Sequence, residues 1–406
     1  MQSPGQKTSG NHLESRIPEL DGIRAIAIWM VILVHVVTGF PNREGALSFL
    51  PGSVQVAIGH GWLGVDLFFM LSGFLITGIL LETRERPHYF RNFYARRFLR
   101  IMPLYFTMVL VWALFYHHYG RYLLMSSVFG ANLAPVFHVA VPHGPTVLWS
   151  LAVEEHFYFL WPLIVLLVDR KKLLWLCAAI FIGCPILRGI CALKGVNPGA
   201  IIVLSCFRFD GLATGAAIAI WARSARFDRK TAHVIAAICL AMLCVVTIAG
   251  SGHGIFGTKT PVGLAFTYTQ AYFAFAIPFV LALVYRGTVW TSILRNPFMQ
   301  LSGALSYCLY LIHLSIGDGY QALLANRFHL RPTETVLVRA AVIISLSFAI
   351  AALSRRFLEQ PCLALKSRFE EARKRTEASD RDSVQNEAPT PQFAAQELAQ
   401  GESASS

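Results

Sequence analysis

Apolar residues along this chain fall into long runs separated by short polar turns. They form about ten stretches, roughly 22–40, 62–82, 101–118, 147–168, 173–192, 202–222, 232–250, 264–285, 298–322 and 335–353, most near the length a helix needs to cross a hydrocarbon core. The pattern predicts an all-α bundle of membrane-spanning helices. Residues 120–145 are too broken to span, being interrupted by Pro135, Pro142, Gly144 and Pro145, and read as an outer loop with a short interfacial helix. The first run stands apart because it carries Arg24 at its start and His35 deep inside. The two are eleven residues apart, about three helical turns, and so lie near one face, with Asp21 close to the same stripe. An ionisable group inside a membrane helix is costly and faces a cavity, a partner or a pathway.

Composition agrees with this reading. Of 406 residues, 55% are hydrophobic and 14% charged, whereas a soluble domain carries about a quarter charged residues. Met1–Leu20 is polar and shows no apolar signal-peptide core. The net charge of +12 does not indicate nucleic acid, because the basic residues collect in alternate loops. One set comprises Arg84, Arg86, Arg91, Arg96, Arg97 and Arg100, then Arg170–Lys172, Arg223–Lys230, Arg286, Arg295, Arg355 and Arg356. The intervening loops hold few, so the positive-inside rule puts both termini in the cytoplasm. The expected organisation is a cytoplasmic tail over 1–17, a membrane domain over 18–365, and a largely disordered cytoplasmic tail over 366–406, whose composition is polar with few aromatics. The eight cysteines show neither disulfide-framework nor zinc spacing, and histidines such as His60, His117, His118 and His143 form no ligand pattern, so no metal is expected. Nothing in the sequence sets an oligomeric state.

Orientation gives each intramembrane polar residue a depth. His35 falls about 18 Å in from the cytoplasm, and Glu154 and Glu155 about 10 Å down from the other side. Asp66, Asp210 and His313 join them, so that five helices contribute to one mid-to-outer polar layer. Each has a plainer alternative. Asp66 caps an interfacial helix end, one of Glu154 and Glu155 is hydrated, His313 is a hydrogen-bonding core histidine, and Gly211-Leu-Ala-Thr-Gly215 is a helix-packing site. Arg208 and Asp210, two apart, do not share a helix face. At the opposite surface, Arg91, Arg96, Arg97 and Arg100 with Phe93, Tyr94 and Phe98 are denser than orientation requires. Such a cluster binds lipid head groups or grips a multiply phosphorylated ligand through bidentate guanidinium contacts.

Several motifs in order resemble the integral-membrane acyltransferase-3 family of bacterial O-acyltransferases. They are Leu20-Asp-Gly-Ile-Arg24 with His35, Gly61-Trp-Leu-Gly-Val-Asp66 running into Ser72-Gly-Phe74, and Phe93-Tyr-Ala-Arg96-Arg97-Phe-Leu-Arg100-Ile-Met-Pro103. Trp149-Ser150 through Glu154-Glu155, Arg208-Phe-Asp210, Ser306-Tyr307 through His313, and Glu359-Gln-Pro361 complete the set. The resemblance covers about 18–365. It implies transfer of an acyl group, commonly acetyl, from cytoplasmic acetyl-coenzyme A to a hydroxyl of a carbohydrate or small molecule, in the bacterial inner membrane and with no permanently bound cofactor. It implies His35 as catalytic, Arg24 as its motif partner, and Arg96, Arg97 and Arg100 as donor-binding, with Arg91 beside them. On this reading His35 is the general base or transient acyl carrier, and Glu154 orients His35 or the acceptor. Asp66 joins the catalytic layer, and Ser72 and Ser150 are candidate oxyanion donors. Trp149, Glu155, Arg208, Asp210, Tyr307 and His313 are expected to meet the acceptor. Two departures from the family pattern are Leu-Ser-Ile after His313, where His-x-Pro is frequent, and a C-terminus without the extra hydrolase-like domain of some members, which places acceptor handling in the membrane domain. The alternative is a proton-coupled transporter or flippase of a glycan or lipid-linked substrate, using the same His and carboxylates as a relay. It leaves the ordered arginines unexplained.

Overall fold

The computed structural model describes residues 17–39, 45–325 and 331–364; the expected tails before Ile17 and after Leu365 lie outside them. The described residues form helices and turns with no strand. In chain order the helices are α1 (Pro18–Thr38), α2 (Gly52–Gly59), α3 (Gly64–Thr83), α4 (Tyr89–Phe115), α5 (Gly120–Ser127), α6 (Leu148–Leu167) and α7 (Arg170–Leu193). They continue as α8 (Pro198–Val203), α9 (Phe209–Ala222), α10 (Arg229–Gly250), α11 (Pro261–Val284), α12 (Pro297–Tyr320) and α13 (Pro332–Ser354). Among the described residues nine helical segments are long and apolar enough to cross a membrane, so this is a multi-pass helical bundle. Asp169, Asp228 and Asn296 cap the starts of α7, α10 and α12, each side chain accepting from a backbone N–H one turn on, which stops those helices at the arginine-rich end of the bundle.

Two regions differ from the sequence pattern. The expected span over 202–222 is broken: α8 and the 14-residue α9 are separated by a short turn, Ser205–Phe207, beginning from extended backbone at Leu204. Irregular backbone at membrane depth survives only where protein buries it or where it lines a cavity, and Arg208 occupies the break. The 120–145 segment is no simple outer loop. Tyr105 on α4 donates to the carbonyl of Ser126 at 2.7 Å, Phe129 packs on the Tyr105 ring, and buried Asn132 donates to Ser205 Oγ at 2.9 Å. Its apolar Tyr122, Leu123, Ala131 and Ala134 are buried in the main core, which is why it folds inward despite its prolines.

The tightest crossing joins α3 and α9. A Cβ on Gly73 would collide with the backbone carbonyl of Leu212, and one on Gly215 with that of Met70. The Gly211–Gly215 motif is thus a packing site with two neighbours, since a Cβ on Gly211 would meet the Tyr272 ring of α11 instead. Backbone cannot yield as a side chain does. Gly215→Ala is therefore expected to destabilise the fold by about 1–3 kcal/mol, read as a lower midpoint in thermal melts of the detergent-solubilised protein, whereas Gly59→Ala, which faces open space, leaves the midpoint nearly unchanged.

Candidate active site

Three cavities succeed one another through the bundle. The largest, 1030 Å³, lies between α4 and α6 and is lined by Arg91, Arg96, Arg97, Phe98, Glu155 and Tyr158 among others. It shares Arg97, Glu155 and Tyr158 with a narrow interior cavity of 120 Å³, which adds Arg24, Arg100, Ser72, Glu154, Tyr307 and Glu359. That cavity in turn shares Val65 and Tyr310 with a third, of 330 Å³, lined by His35, Trp62, Asp66, Trp149, Arg208 and Tyr268. The series is cationic at one end and holds a histidine at the other.

In the first two cavities the cations are held apart from full neutralisation. The Arg97 guanidinium lies over the Tyr158 ring, 5.0 Å from its centroid, and Arg24 Nε is buried with no hydrogen-bond partner among the described residues. Glu154 accepts from Ser72 Oγ at 3.0 Å and from Tyr158 OH at 2.8 Å, so its carboxylate is fixed on the wall it shares with Arg24 and Arg97. Tyr307 donates to the Ile101 carbonyl at 3.1 Å, tying α12 to α4. Several arginines lining adjoining cavities suit an anionic, phosphate-bearing ligand.

In the third cavity the hydrogen bonds fix the tautomers of two histidines. His313 Nδ1 lies 2.8 Å from the Tyr310 carbonyl and 3.1 Å from that of Leu309. Carbonyls only accept, so Nδ1 carries the proton and Nε2 of the neutral ring holds a lone pair. His35 Nδ1 lies 2.8 Å from the Val31 carbonyl and 3.2 Å from His313 Nε2, so its N–H is shared between two acceptors. His35 Nε2 is left with a free lone pair on a ring that lines the cavity. That is the state a general base or a nitrogen nucleophile requires.

The facing wall is a buried ion-pair system. Arg208 Nη2 donates to Asp66 Oδ1 at 2.6 Å, and Tyr272 OH donates to the same oxygen at 2.7 Å. The Arg208 guanidinium stacks 3.6 Å from the Tyr268 centroid and lies 5.6 Å from that of Trp149. Asp66 Oδ2, Arg208 Nε and Nη1, and Tyr268 OH have no partner among the described residues. Buried polar groups left open in this way cost stability unless something fills them, and beside a 330 Å³ cavity they form a ready set of donors and acceptors for a polar ligand.

The structure splits the single polar layer expected from the sequence. Arg24 and His35, expected to work together, line different cavities. Glu154 contacts Ser72 and Tyr158 rather than His35, whose ring partner is His313. Ser72 is committed to Glu154, and Ser150 donates to the Val147 carbonyl at 3.1 Å while paired with Tyr310 at 2.7 Å. Neither Asp210 nor His313 lines any of the three cavities. Asp210 is fully buried against Arg188 at 2.7 Å, and Arg188 also donates to the Ala265 and Phe207 carbonyls, fastening the break before Arg208. The sequence gives no sign of a role for Arg188, an isolated charge in an apolar run, or for Tyr310, one turn before His313. His143 belongs to no ligand pattern, yet it meets Asp318, 175 residues on, at 2.6 Å.

The sequence match that accompanies this geometry extends over residues 17–356, which fit the acyltransferase domain of the acyltransferase-3 family. The chain belongs to the acyltransferase-3 family. This acyltransferase-3 chain is 27% identical over 400 residues to the peptidoglycan O-acetyltransferase OatA of Listeria monocytogenes, a match covering 87% of the chain and 57% of that protein. It is 25% identical over 374 residues to the O-acetyltransferase OatA of Staphylococcus aureus, covering 85% and 57%. The chain thus spans just over half the length of these relatives. No solved structure matches it. Membership of an acyltransferase family does not favour the transporter alternative.

The His143–Asp318 contact fastens the segment leading to Thr146 and Val147, which line the His35 cavity. Its hydrogen bond to Asp318 raises the half-exposed His143 imidazole above the usual histidine value. A raised value in the folded state stabilises fully below about pH 6.5, where both states are protonated, and that contribution is lost as pH climbs through the raised value. The stability gap between the protein and His143→Gln is therefore expected to narrow from pH 6 to pH 9 in thermal melts; a gap independent of pH would disprove the assignment.

Proposed function

We propose that this chain is a membrane O-acyltransferase that moves an acyl group, most simply acetyl, from coenzyme A at its arginine-rich end to a hydroxyl of a carbohydrate acceptor at its His35 end. The observation that carries the reading is the row of cavities that starts among Arg91, Arg96, Arg97 and Arg100 and ends at the free lone pair of His35. The name of the Listeria relative, a peptidoglycan O-acetyltransferase, supports a glycan acceptor. The loop arginines support a cytoplasmic position for the donor end, in the inner membrane of a bacterium.

On this reading Arg96, Arg97 and Arg100 pair with the donor phosphates and polyphosphate specificity follows from the guanidinium fork. The narrow second cavity, with Arg24 and the Ser72–Glu154–Tyr158 group on its wall, takes the pantetheine arm and presents the thioester toward His35. In one route His35 Nε2 removes the acceptor hydroxyl proton as the oxygen attacks the thioester carbonyl. The C–S bond breaks and the thiolate recovers that proton. In the other, Nε2 attacks the thioester carbonyl first, the C–S bond breaks and the thiolate leaves; the acceptor oxygen then attacks the acyl carbon, the C–N bond breaks, and the hydroxyl proton goes to the thiolate. Both need the Nδ1–H tautomer that Val31 and His313 impose. Asp66, Arg208, Trp149 and Tyr268 offer the acceptor hydrogen bonds and aromatic faces.

Two measurements test the proposal. His35→Ala should lower acceptor acylation from acetyl-coenzyme A by about 10²–10⁴-fold, as measured by mass spectrometry of the product; undiminished activity would remove His35 from the chemistry. Charge reversal at Arg96 and Arg97 together should abolish saturable coenzyme A binding by calorimetry in nanodiscs, and unchanged binding would move the donor site elsewhere.

A further inference from the structure

The second and third cavities meet at one place. Of their lining residues they have Val65 and Tyr310 in common, and of these only Tyr310 is large enough to separate them. The Tyr310 ring is buried and packs edge-on against Phe68 of α3 at 6.1 Å. Its hydroxyl is 2.7 Å from Ser150 Oγ, on the first turn of α6. Both hydroxyls also reach the Val147 carbonyl, Ser150 at 3.1 Å and Tyr310 at 3.4 Å, so the phenol is latched across the gap between α12 and α6 by Ser150 and Val147. The backbone of the same residue accepts from His313, whose ring touches His35. One residue thus closes the passage with its side chain and supports the histidine pair with its carbonyl.

We propose that Tyr310 is the barrier between a donor chamber and an acceptor chamber, and that its Ser150 latch opens to let the acyl group pass. This rests on the reading that the donor enters among the arginines and the acceptor meets His35. Chemically, the barrier separates a thioester from the water of the other chamber. Without it, water oxygen attacks the thioester carbonyl, the C–S bond breaks, and acetate, coenzyme A thiol and one proton are released with nothing acylated. A single tyrosine hydroxyl held by a serine at 2.7 Å and a carbonyl at 3.4 Å is a contact that can break and re-form, whereas removal of the ring opens the passage permanently. The same argument makes Tyr310 a determinant of acyl-chain length, because the group in transit must clear the ring and Val65.

The test uses the full chain in liposomes with two readouts. The first is thiol release from acetyl-coenzyme A without acceptor. The second is proton permeability under an imposed pH gradient, followed with a trapped dye and no substrate at all. Tyr310→Ala is expected to raise acceptor-free thiol release at least tenfold and to leak protons above the level of the unaltered protein. Tyr310→Phe, which keeps the ring and loses the latch, should stay tight to protons and raise thiol release by a smaller factor, about two- to fivefold. Ser150→Ala, which removes the nearer of the two partners of the hydroxyl, should raise thiol release by no more than Tyr310→Phe and serves where the alanine variant at 310 does not fold. Tight vesicles and unchanged thiol release in folded Tyr310→Ala, or unchanged thiol release in Ser150→Ala, would overturn the proposal. The proton readout needs no donor or acceptor, so a leak in Tyr310→Ala with no thioester turnover in any form of the protein would instead place the failure in the reading of the substrates.

Discussion

A charge buried in a low-dielectric interior has to be paired, stacked or offered to a cavity, and that constraint shapes the half of this bundle that contains His35. Arg188 takes Asp210 and Arg208 takes Asp66. Breaking either pair leaves an uncompensated buried ion at a cost of about 3–5 kcal/mol. Together they hold an interrupted helix against α3, α7 and α11, and Ile202 and Arg208, on either side of the interruption, line the third cavity. Polarity that would be a liability elsewhere thus borders a chamber within apolar packing.

Much of this was legible in the sequence. Period and length identified the long helices, because a chain in hydrocarbon has few other ways to satisfy its backbone. Loop charge identified the arginine-rich end, and motif order led to the family. The residues named on the strength of those motifs largely line the three cavities, with Asp210 and His313 as exceptions. What the sequence obscured was partnership. Spacing along one helix suggested that Arg24 and His35 act together, but spacing reports a face and not what stands opposite it. His35 found His313, 278 residues on, and Glu154 found Ser72. The inward fold of 120–145 was hidden because prolines and glycines weaken helical periodicity without saying whether the segment is wet or buried.

On the proposed reading, the row of cavities also changes how the chemistry of a thioester would be handled in a membrane. The end rich in arginine would meet a highly charged donor, and the narrow second cavity would admit its slender, neutral portion. Charge would be screened where water is plentiful, and the reacting carbonyl would travel where it is scarce.

The histidine pair carries a last consequence. Catalytic imidazoles are commonly steadied by a carboxylate, which keeps a permanent negative charge beside the base. Here the groups that steady His35 are the Val31 carbonyl and a second neutral imidazole, which contributes only a lone pair. The resting dyad therefore has no net charge to solvate, and in the proposed mechanism electrostatic work falls on the protein only during the brief interval in which His35 holds a proton or an acyl group. A centre of this kind can idle deep in a lipid environment at little expense and become polar only when a substrate makes it so.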